Sequence, residues 1–455
     1  MIIRHFYDEN LAQASYLVAC GETGEAIVID PIRDIAQYLK TATQHNLRIT
    51  AVTETHIHAD FVSGTRELAA ATGATMYLSD EGDDQWKYDF ADEQGARLIT
   101  DGFVIQIGNL SLKAIHTSGH TPEHLSFLLT DNPAGQLPHS LFTGDFLFVG
   151  DVGRPDLLEL VANMAGTMEE SARSLFRSVQ KLRDLPDSLL IWPGHGAGSA
   201  CGKSLGGSPV SSLGYERETN WALSASDEQT FVATVLSGQP DAPPYFKTMK
   251  RLNKAGPPIL TGMPKLAQLM EVEGMLVDVR KKDVSRSDYH AGSLVIPSGT
   301  GLTNWAGWLL EYEVPVTLLA ESERQANVAA RDLATIGLDV VAGWMEASNL
   351  TGGGSMVPTI ACGQLTGTEV MLDIRNLNER QQSLVRGSIH IPLGYLAQRV
   401  GELPTDRKIV VHCASGARSP IALSILKRAG LSNVAELIGG LRDVAKQCPA
   451  LVIAG

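Results

Sequence analysis

Short apolar runs rich in β-branched residues, separated by glycines and by segments with helical periodicity, recur through the first half of the chain. A run of about four to eight apolar residues bounded by turn residues is typical of a buried strand. The clearest runs are Ala26–Ile29, Ile49–Val52, Leu110–Ile115, Leu125–Leu129, Ser140–Phe142 and Leu189–Ile191. Together they predict one α/β domain over residues 1–245.

The second half of the chain contains an internal repeat. Leu276-Val-Asp-Val-Arg280 matches Met371-Leu-Asp-Ile-Arg375, and Ala291–Pro297 matches Arg386–Pro392, both at an offset of 95 residues. Agreement of two separate motifs in one register indicates a duplicated unit. Each copy alternates short apolar strands with helical segments, which predicts a small α/β domain with a parallel sheet.

The 455 residues exceed the length of one ordinary domain. We expect the two repeat domains at residues 265–350 and 359–455. The segment 246–264, rich in proline and lysine, is expected to be a linker packed on the first domain. Thr351-Gly-Gly-Gly-Ser355 is expected to be a flexible joint between the copies.

Composition and charge narrow the class of protein. The chain is 44% hydrophobic and 19% charged, as expected for a soluble globular protein, and it has no apolar stretch long enough to span a membrane. Its net charge of −14 disfavours binding to nucleic acid or to anionic membranes. The first 20 residues lack the pattern of a signal peptide.

The five cysteines are few, odd in number and widely spaced, a pattern that does not predict a disulfide framework. This usage suits a reducing compartment, so we expect a cytoplasmic protein. Cys20, Cys362 and Cys448 have no motif around them and are interpreted as packing residues. Cys201 and Cys413 lie in glycine-containing loops and are treated below.

Histidines and aspartates cluster where predicted strands end. The four segments are Thr55-His-Ile-His-Ala-Asp-Phe61, Ser118-Gly-His-Thr121, Thr143-Gly-Asp145 and Pro193-Gly-His195. A strand fixes the approach of each loop, and the loop lets its side chain point into a shared site. Imidazoles and a carboxylate are ligands for a divalent metal ion. The sequence therefore predicts a metal centre in the first domain.

These motifs resemble the metallo-β-lactamase fold, in the branch of glyoxalase II and the persulfide dioxygenases. The resemblance implies an αββα sandwich with its metal at one edge. The usual motif, T-H-x-H-x-D-H, builds two metal sites, but Phe61 replaces its last histidine here. A phenyl ring cannot bind a metal, so we expect one metal ion rather than the pair used by hydrolases.

Persulfide dioxygenases hold iron(II) through two histidines and one aspartate, which correspond to His56, His120 and Asp145. The resemblance implies one Fe(II) per chain, with three open positions for substrate sulfur and O₂. His58, Asp60 and His195 would then orient ligands and waters. His58 remains an alternative ligand if the metal is zinc.

Two further residues near these motifs have open interpretations. Arg154 follows the loop of Asp145 and would pair either with an anionic substrate or with a nearby acid. Cys201 lies in the glycine-rich segment after His195. It is either a second sulfur carrier near the metal or a buried small residue in a structural loop.

The apolar run Lys408-Ile-Val-Val-His-Cys413 ends in a thiol, and Ala414-Ser-Gly-Ala-Arg418-Ser419 follows before a helical pattern. Gly416 allows the backbone amides of this loop, including that of Ser415, to turn inward as an anion site. The following helix N-terminus and Arg418 add positive potential. We therefore expect a lowered pKa for Cys413 and stabilisation of a thiolate or persulfide.

The C-x-x-G-x-R-S loop resembles that of rhodanese-type sulfurtransferases, with a Cys-loop phosphatase as a minor alternative. The late Gly439-Gly440 pair and the Gly387–Pro392 run support the resemblance. In the first copy the 95-residue offset puts Leu318 at the position of Cys413. That copy is expected to be catalytically silent and to act as a scaffold, an oligomer contact or a cover over a substrate channel.

The two resemblances imply a fused persulfide dioxygenase and sulfurtransferase for sulfide detoxification. Expected partners are a low-molecular-weight thiol persulfide, O₂ and sulfite or thiosulfate, and we expect a homo-oligomer. A two-zinc thioesterase of the glyoxalase II type, with regulatory rhodanese domains, is the alternative. A sulfide sensor without catalytic activity is a third hypothesis, disfavoured because both sets of site residues are complete.

Overall fold

The structure, a computed structural model, describes residues 1–157, 159, 166–263, 265–350 and 354–455. Pro264 of the expected linker and residues 351–353 of the expected joint lie outside this part. The chain divides into two compact units, Met1–Met263 with Ala334–Gly337 and Pro264–Leu333 with Leu338–Gly455. In the described part of the chain, no helix has the length and apolar character needed to cross a membrane.

The first unit contains two six-stranded sheets. The strands of the first sheet, in spatial order, are β1 (Ile2–Asp8), β2 (Gln13–Ala19), β3 (Glu25–Ile29), β4 (Arg48–Thr53), β5 (Thr75–Ser79) and β6 (Arg97–Ile99). The second sheet has the order β12-β11-β10-β9-β8-β7. Its strands are β7 (Val104–Ile107), β8 (Leu110–His116), β9 (Leu125–Asp131), β10 (Ser140–Gly144), β11 (Leu190–Pro193) and β12 (Ser211–Ser212).

The core of this unit lies between the two sheets. Alternate residues of β8, Leu110, Leu112 and Ala114, are buried, which is the pattern of a strand with one face in the core. They pack with Tyr16 and Ile27 of the other sheet in one apolar cluster. The first sheet is antiparallel over β1–β3 and parallel over β3–β6.

Helices cover the outer faces of both sheets, and the predicted αββα sandwich is confirmed. The α-helices of this unit are Ala36–Gln44, Thr65–Thr72, Met168–Gln180, Leu213–Thr219, Glu228–Leu236 and Phe246–Ala255. Met168–Gln180 buries Leu175 and Val179 in a cluster with Leu141 and Ile191 of the second sheet. Acidic residues in its first turn and Arg177 in its last turn suit the helix dipole.

The segment expected as a linker begins with the helix Phe246–Ala255. Met249 and Asn253 on this helix are buried within the first unit. An amphipathic helix that buries one face belongs to the domain it covers rather than to a linker. The structural boundary therefore falls after this helix.

The second unit contains two parallel sheets, as expected for two small α/β domains. The first has the order β14-β13-β15-β16, with β13 (Met275–Asp278), β14 (Leu294–Val295), β15 (Val316–Leu319) and β16 (Val341–Met345). The second has the order β17-β22-β21-β18-β20, with β17 (Thr359–Ile360), β18 (Val370–Asp373), β20 (Ile389–His390), β21 (Ile409–His412) and β22 (Val434–Leu437). β19 (Leu384–Val385) pairs with β23 (Val452–Ile453).

The helices of the second unit connect these strands. They are Lys282–Ser287, Leu302–Leu309, Glu323–Thr335, Leu377–Gln382, Leu396–Arg399, Ser419–Arg428 and Gly440–Gln447. Both copies of the repeat have the same ion pair at the end of the equivalent strand, β13 in the first copy and β18 in the second. Arg280 donates to Asp278 at 2.9 and 2.8 Å, and Arg375 donates to Asp373 at 2.9 and 2.6 Å.

Strand pairing corrects the position assigned to the missing thiol. Asp278 pairs with Leu319 in the first copy, and Asp373 pairs with His412 in the second. Ala320, not Leu318, is therefore the counterpart of Cys413, because the first copy has two more residues than the second between these strands. The helix after Ala320 starts at Glu323, so this copy also lacks the length of loop that surrounds Cys413.

The cysteine prediction was wrong for one pair. Cys362 and Cys448, interpreted from sequence as packing residues, form a disulfide. Cys448 follows the helix Gly440–Gln447, and Cys362 begins a short 3₁₀ turn near the start of the C-terminal domain. Cys20, Cys201 and Cys413 are free and buried.

Candidate metal centre and thiol site

Three strand ends bring the predicted metal ligands together. His56 follows β4, His120 lies in the loop between β8 and β9, and Asp145 follows β10. One potential ligand atom from each lies within 4.8 Å of the others, and all three side chains are buried. The site therefore has the donor set of two imidazoles and one carboxylate that the sequence predicted.

The polar atoms of this cluster suit a cation. Neither carboxylate oxygen of Asp145 has a hydrogen-bond partner, although the side chain is only 1% exposed. A buried carboxylate without compensation is costly, and a bound cation removes that cost. Burial lowers the pKa of His56 and of His120, which favours the neutral imidazoles that bind metals.

Hydrogen bonds fix the orientation of both imidazoles. His120 Nδ1 lies 3.0 Å from the carbonyl oxygen of Arg154, so Nδ1 carries the proton and Nε2 faces Asp145 at 3.4 Å. His56 Nδ1 lies 3.0 Å from Thr55 Oγ1, and that hydroxyl donates to Asp30 at 2.9 Å. Both histidines therefore direct the unprotonated Nε2 toward the shared site.

Asp30, which the sequence analysis did not select, binds the loop that carries Thr55 and His58. It follows β3 with a φ of +51° and accepts hydrogen bonds from the Thr55 amide at 2.6 Å and from His58 Nε2 at 3.0 Å. Burial lowers the pKa of His58, but the Asp30 carboxylate outweighs this effect and raises it to about 9. His58 Nδ1 has no hydrogen-bond partner, and it would bind a metal only after the ring loses the proton that Asp30 stabilises.

Asn253 also binds this loop, through the backbone of the loop. Its amide nitrogen donates to the carbonyl oxygens of His58 and Phe61, both at 2.7 Å, and its oxygen accepts from the Ser63 amide at 3.0 Å. No motif marks this residue in the sequence, and the helix that carries it was expected to be a linker.

Phe61 is completely buried, with its ring centre 4.3 Å from that of His58. It places an apolar wall at the position where the usual motif has a metal ligand. Asp60, His195 and Cys201 nevertheless form a second group whose potential ligand atoms lie within 4.8 Å of one another. His195 Nε2 lies 3.2 Å from Asp60 and 3.5 Å from Asp145, so the two groups are adjacent.

Cys201 thus lies beside the metal cluster, which sequence proximity to His195 had only suggested. Burial and the charges of Asp145 and Asp60 raise the pKa of its thiol to about 12. Without a bound cation this thiol stays protonated and is a poor nucleophile. Its position beside the metal ligands supports the hypothesis that Cys201 carries sulfur, whereas its protonated state argues against that hypothesis.

Arg154 does not present its charge to a substrate. The side chain is fully buried and forms a bidentate ion pair with Asp156 at 2.8 and 2.6 Å. Its remaining amino group donates to the carbonyl oxygen of Ala200. The contacts favour the structural interpretation, in which Arg154 supports the loop that carries Cys201 and orients His120 through its own carbonyl.

The thiol site lies in the loop between β21 and the helix Ser419–Arg428. The Gly416 amide donates to Cys413 Sγ at 3.1 Å, and Ser419 Oγ lies 3.7 Å from the same atom. Burial raises the pKa of Cys413, but Arg418 and the amides of the loop outweigh it, so the pKa lies below its ordinary value. Gly416 has a φ of +83°, the left-handed conformation that turns its amide inward.

Two neighbours complete the thiol site. Glu379, which sequence reasoning missed, accepts a bidentate pair from Arg418 at 2.7 Å and fixes the guanidinium beside the loop. The helix Gly440–Gln447 donates its first amides to the loop, from Leu441 to the Cys413 carbonyl oxygen at 2.8 Å. Gly440 permits this approach, since a Cβ there would lie 2.5 Å from that oxygen.

Comparison with known proteins agrees with the two sites. The family model described as the metallo-beta-lactamase superfamily matches residues 9–195, and the rhodanese-like domain model matches residues 362–447. A solved metallo-beta-lactamase structure from Staphylococcus aureus is 42% identical, with a TM-score of 0.71. The alignment covers 76% of this chain and 98% of that one.

Fold and site together define a metallo-β-lactamase-type metal domain joined to a sulfurtransferase-type thiol domain. The chain belongs to the metallo-β-lactamase superfamily, and it carries a rhodanese-like domain after the metal domain.

Relatives of the metal domain have more than one activity. A hydroxyacylglutathione hydrolase from Nitrosococcus oceani is 31% identical over 43% of this chain and 66% of its own length, just under two thirds. The mitochondrial persulfide dioxygenase ETHE1 from Bos taurus is 28% identical over 50% of this chain and 78% of its own length. Similarity alone therefore supports sulfur metabolism broadly but does not choose between the two chemistries.

Proposed function

We propose that this protein oxidises low-molecular-weight persulfides with O₂ to a thiol and sulfite at one Fe(II) site, and transfers sulfane sulfur through Cys413. The observation that carries the proposal is the buried donor set of His56, His120 and Asp145 beside Phe61. Two neutral imidazoles and one carboxylate form the facial triad typical of non-haem iron oxygenases. A persulfide dioxygenase is among the relatives of this domain, as is a hydrolase, so the choice between them rests on the site residues.

Iron(II) in such a triad supplies the activation of O₂ and leaves open positions for persulfide sulfur. The chain's own residues hold the site in shape. Thr55 and the Arg154 carbonyl keep Nδ1 of the two histidines protonated, so that both Nε2 atoms stay available. The apolar ring of Phe61 limits water at the side where a hydrolase would hold its second metal. The overall reaction consumes R-S-SH, O₂ and water and yields R-SH, sulfite and two protons.

The rhodanese-like domain supplies the second half of the proposal. The Cys413 thiolate takes sulfane sulfur from a donor, and sulfite attacks the outer sulfur of the resulting Cys413 persulfide. A bond between that sulfur and sulfite forms, the bond to Sγ breaks, and the thiolate returns with thiosulfate as product. The reverse direction uses the same bonds. The Gly416 amide and Arg418 stabilise the negative charge on sulfur in both states.

The second candidate is a two-zinc thioesterase of the glyoxalase II type. The group formed by Asp60, His195 and Cys201 favours it, because Cys201 offers a thiolate ligand in place of the histidine that Phe61 removes. Metal analysis of the purified protein separates the candidates. About one iron per chain with persulfide-dependent O₂ uptake supports the dioxygenase, and two zinc ions with thioester cleavage would overturn it.

The role of Cys201 needs its own measurement. Replacing it with serine should slow persulfide oxidation if the thiol takes part in the reaction. Unchanged O₂ uptake together with unchanged persulfide labelling would leave Cys201 as a packing residue. The cytoplasmic location expected from the sparse cysteines also stays a prediction, and the Cys362–Cys448 disulfide weakens its basis, since disulfides are rare in reducing compartments.

A further inference from the structure

A cleft of about 430 Å³ lies within the second unit, beside the loop that carries Cys413. The active copy contributes Ala417, Arg418 and Ile421, and the silent copy contributes residues 281–283, residues 296–301 and Trp305. Volumes of about 300–1,000 Å³ are typical of sites for organic small molecules. A small oxyanion such as thiosulfate needs far less space, so the cleft has room for a larger molecule.

The silent copy makes this cleft cationic. Lys281 and Lys282 lie at the start of the helix Lys282–Ser287 and both line the cleft. Their counterparts in the active copy, at the offset of 95, are the uncharged Asn376 and Leu377. The lysines are therefore a feature of the copy that lost its thiol, not of the shared fold.

Other charges in the lining are already paired. Asp283 lies 3.3 Å from Arg286, which also pairs with Glu436, and the two lysines of the lining outnumber this single acidic group. Arg418 is held by its bidentate pair with Glu379. The positive potential added to the cleft by the two lysines is thus available to an anionic ligand.

Contacts between the two copies hold the side of the cleft that carries Lys281 and Lys282 in place relative to Cys413. Arg286, on the same helix as Lys282, forms a bidentate pair with the buried Glu436 of β22 at 2.8 and 2.9 Å. The Val295 amide donates to Ser424 Oγ on the helix that follows the Cys413 loop. The half-buried Trp305 adds an apolar aromatic surface to the same side of the cleft.

We propose that the silent copy is the binding half of the sulfurtransferase site, recognising the carboxylates or phosphates of an anionic organic persulfide or thiol. The ligand body rests against Lys281, Lys282 and Trp305 while its sulfur meets Cys413. The Cys413 thiolate attacks the outer sulfur of R-S-SH, the new Sγ–S bond forms as the R-S bond to that sulfur breaks, and R-S⁻ leaves and takes a proton from solvent. The transfer step rests on the proposed function, but recognition of the anion does not.

The test follows alkylation of Cys413 by neutral iodoacetamide in the full chain, with mass spectrometry of the Cys413 peptide. S-methylglutathione, which carries carboxylates and no reactive sulfur, should protect Cys413 in a saturable way. In the double variant Lys281→Ala/Lys282→Ala, half-protection should need about tenfold more of it. Protection by neutral 2-(methylthio)ethanol should be the same in both proteins.

Lys446→Ala is the matched control, since it removes an exposed lysine from another helix of the same unit. It should leave protection unchanged. Absence of protection in the unmodified protein, equal protection of the double variant, or equal losses for the charged and neutral compounds would each overturn the proposal. Because no sulfur is transferred, this result is independent of whether the protein forms thiosulfate.

Discussion

The contacts of Asn253 lead to a quantitative prediction for the metal loop. Asn253→Ala removes three hydrogen bonds of 2.7, 2.7 and 3.0 Å to the backbone of His58, Phe61 and Ser63. Each bond contributes about 1 kcal/mol net, so the loss is about 3 kcal/mol, and it is larger if the backbone groups stay buried without partners. At roughly 2–4 °C per kcal/mol, the Tm of the first unit should fall by roughly 6–12 °C.

The same change should loosen the metal site. Groups that orient ligands typically alter metal affinity or activity by about 10–100-fold when removed. Iron retention against a competing chelator, persulfide-dependent O₂ uptake and calorimetric unfolding measure the three consequences on one preparation. Asn253→Leu, which fills similar space without donating, should behave like Asn253→Ala.

Asn109→Ala provides the control, because its amide makes one exposed hydrogen bond to Glu22 in the same unit. Its effect should stay within about 0.5 kcal/mol. If Asn253→Leu retained iron and unfolded like the unmodified protein, the hydrogen bonds donated by Asn253 would have no role in holding the metal loop.

Four other changes test the two sites, the first two by separating their activities. Cys413→Ser should abolish thiosulfate formation and spare O₂ uptake; loss of both would show that the sites are not independent. Chelation should do the reverse, removing O₂ uptake while Cys413 still accepts sulfur. Arg418→Ala should raise the pKa of Cys413, so the pH profile of its alkylation moves to higher pH, and an unmoved profile would contradict the charge argument. Phe61→His should raise the metal content from about one to about two ions per chain, and an unchanged content would show that Phe61 does not set the number.

Local patterns were sufficient to predict much of the fold. Apolar runs such as Leu110–Ile115 predicted strands correctly, because side chains alternate between the two faces of a strand and the pattern is visible in neighbouring residues. The histidine and aspartate motifs also came together as expected, because each lies at the end of a strand and these strand ends, from both sheets, meet at one site. The loop of Cys413 carries its chemistry within a few residues, so its lowered pKa was predictable as well.

Long-range partners were not predictable in the same way. Asn253 is separated from the loop it holds by about 190 residues, and nothing in its neighbours marks it as a hydrogen-bond donor to that loop. The disulfide joins cysteines 86 residues apart, and no local motif accompanies either one. A fixed offset also misplaced the counterpart of Cys413, because two extra residues in the first copy change the register and no local motif marks them.

The shared Asp–Arg pairs of the two copies carry a consequence for engineering. Asp278–Arg280 and Asp373–Arg375 stabilise the same strand end, yet only one copy has the sulfur-carrying loop. The ion pair that stabilises the strand end and the loop that carries sulfur are therefore separate segments. We expect that the loop can be transferred from one copy to the other. Grafting the Cys413–Arg418 sequence in place of Ala320–Ser322 should turn the silent copy into a second sulfur acceptor, detectable as one more labelled thiol per chain than in the parent protein.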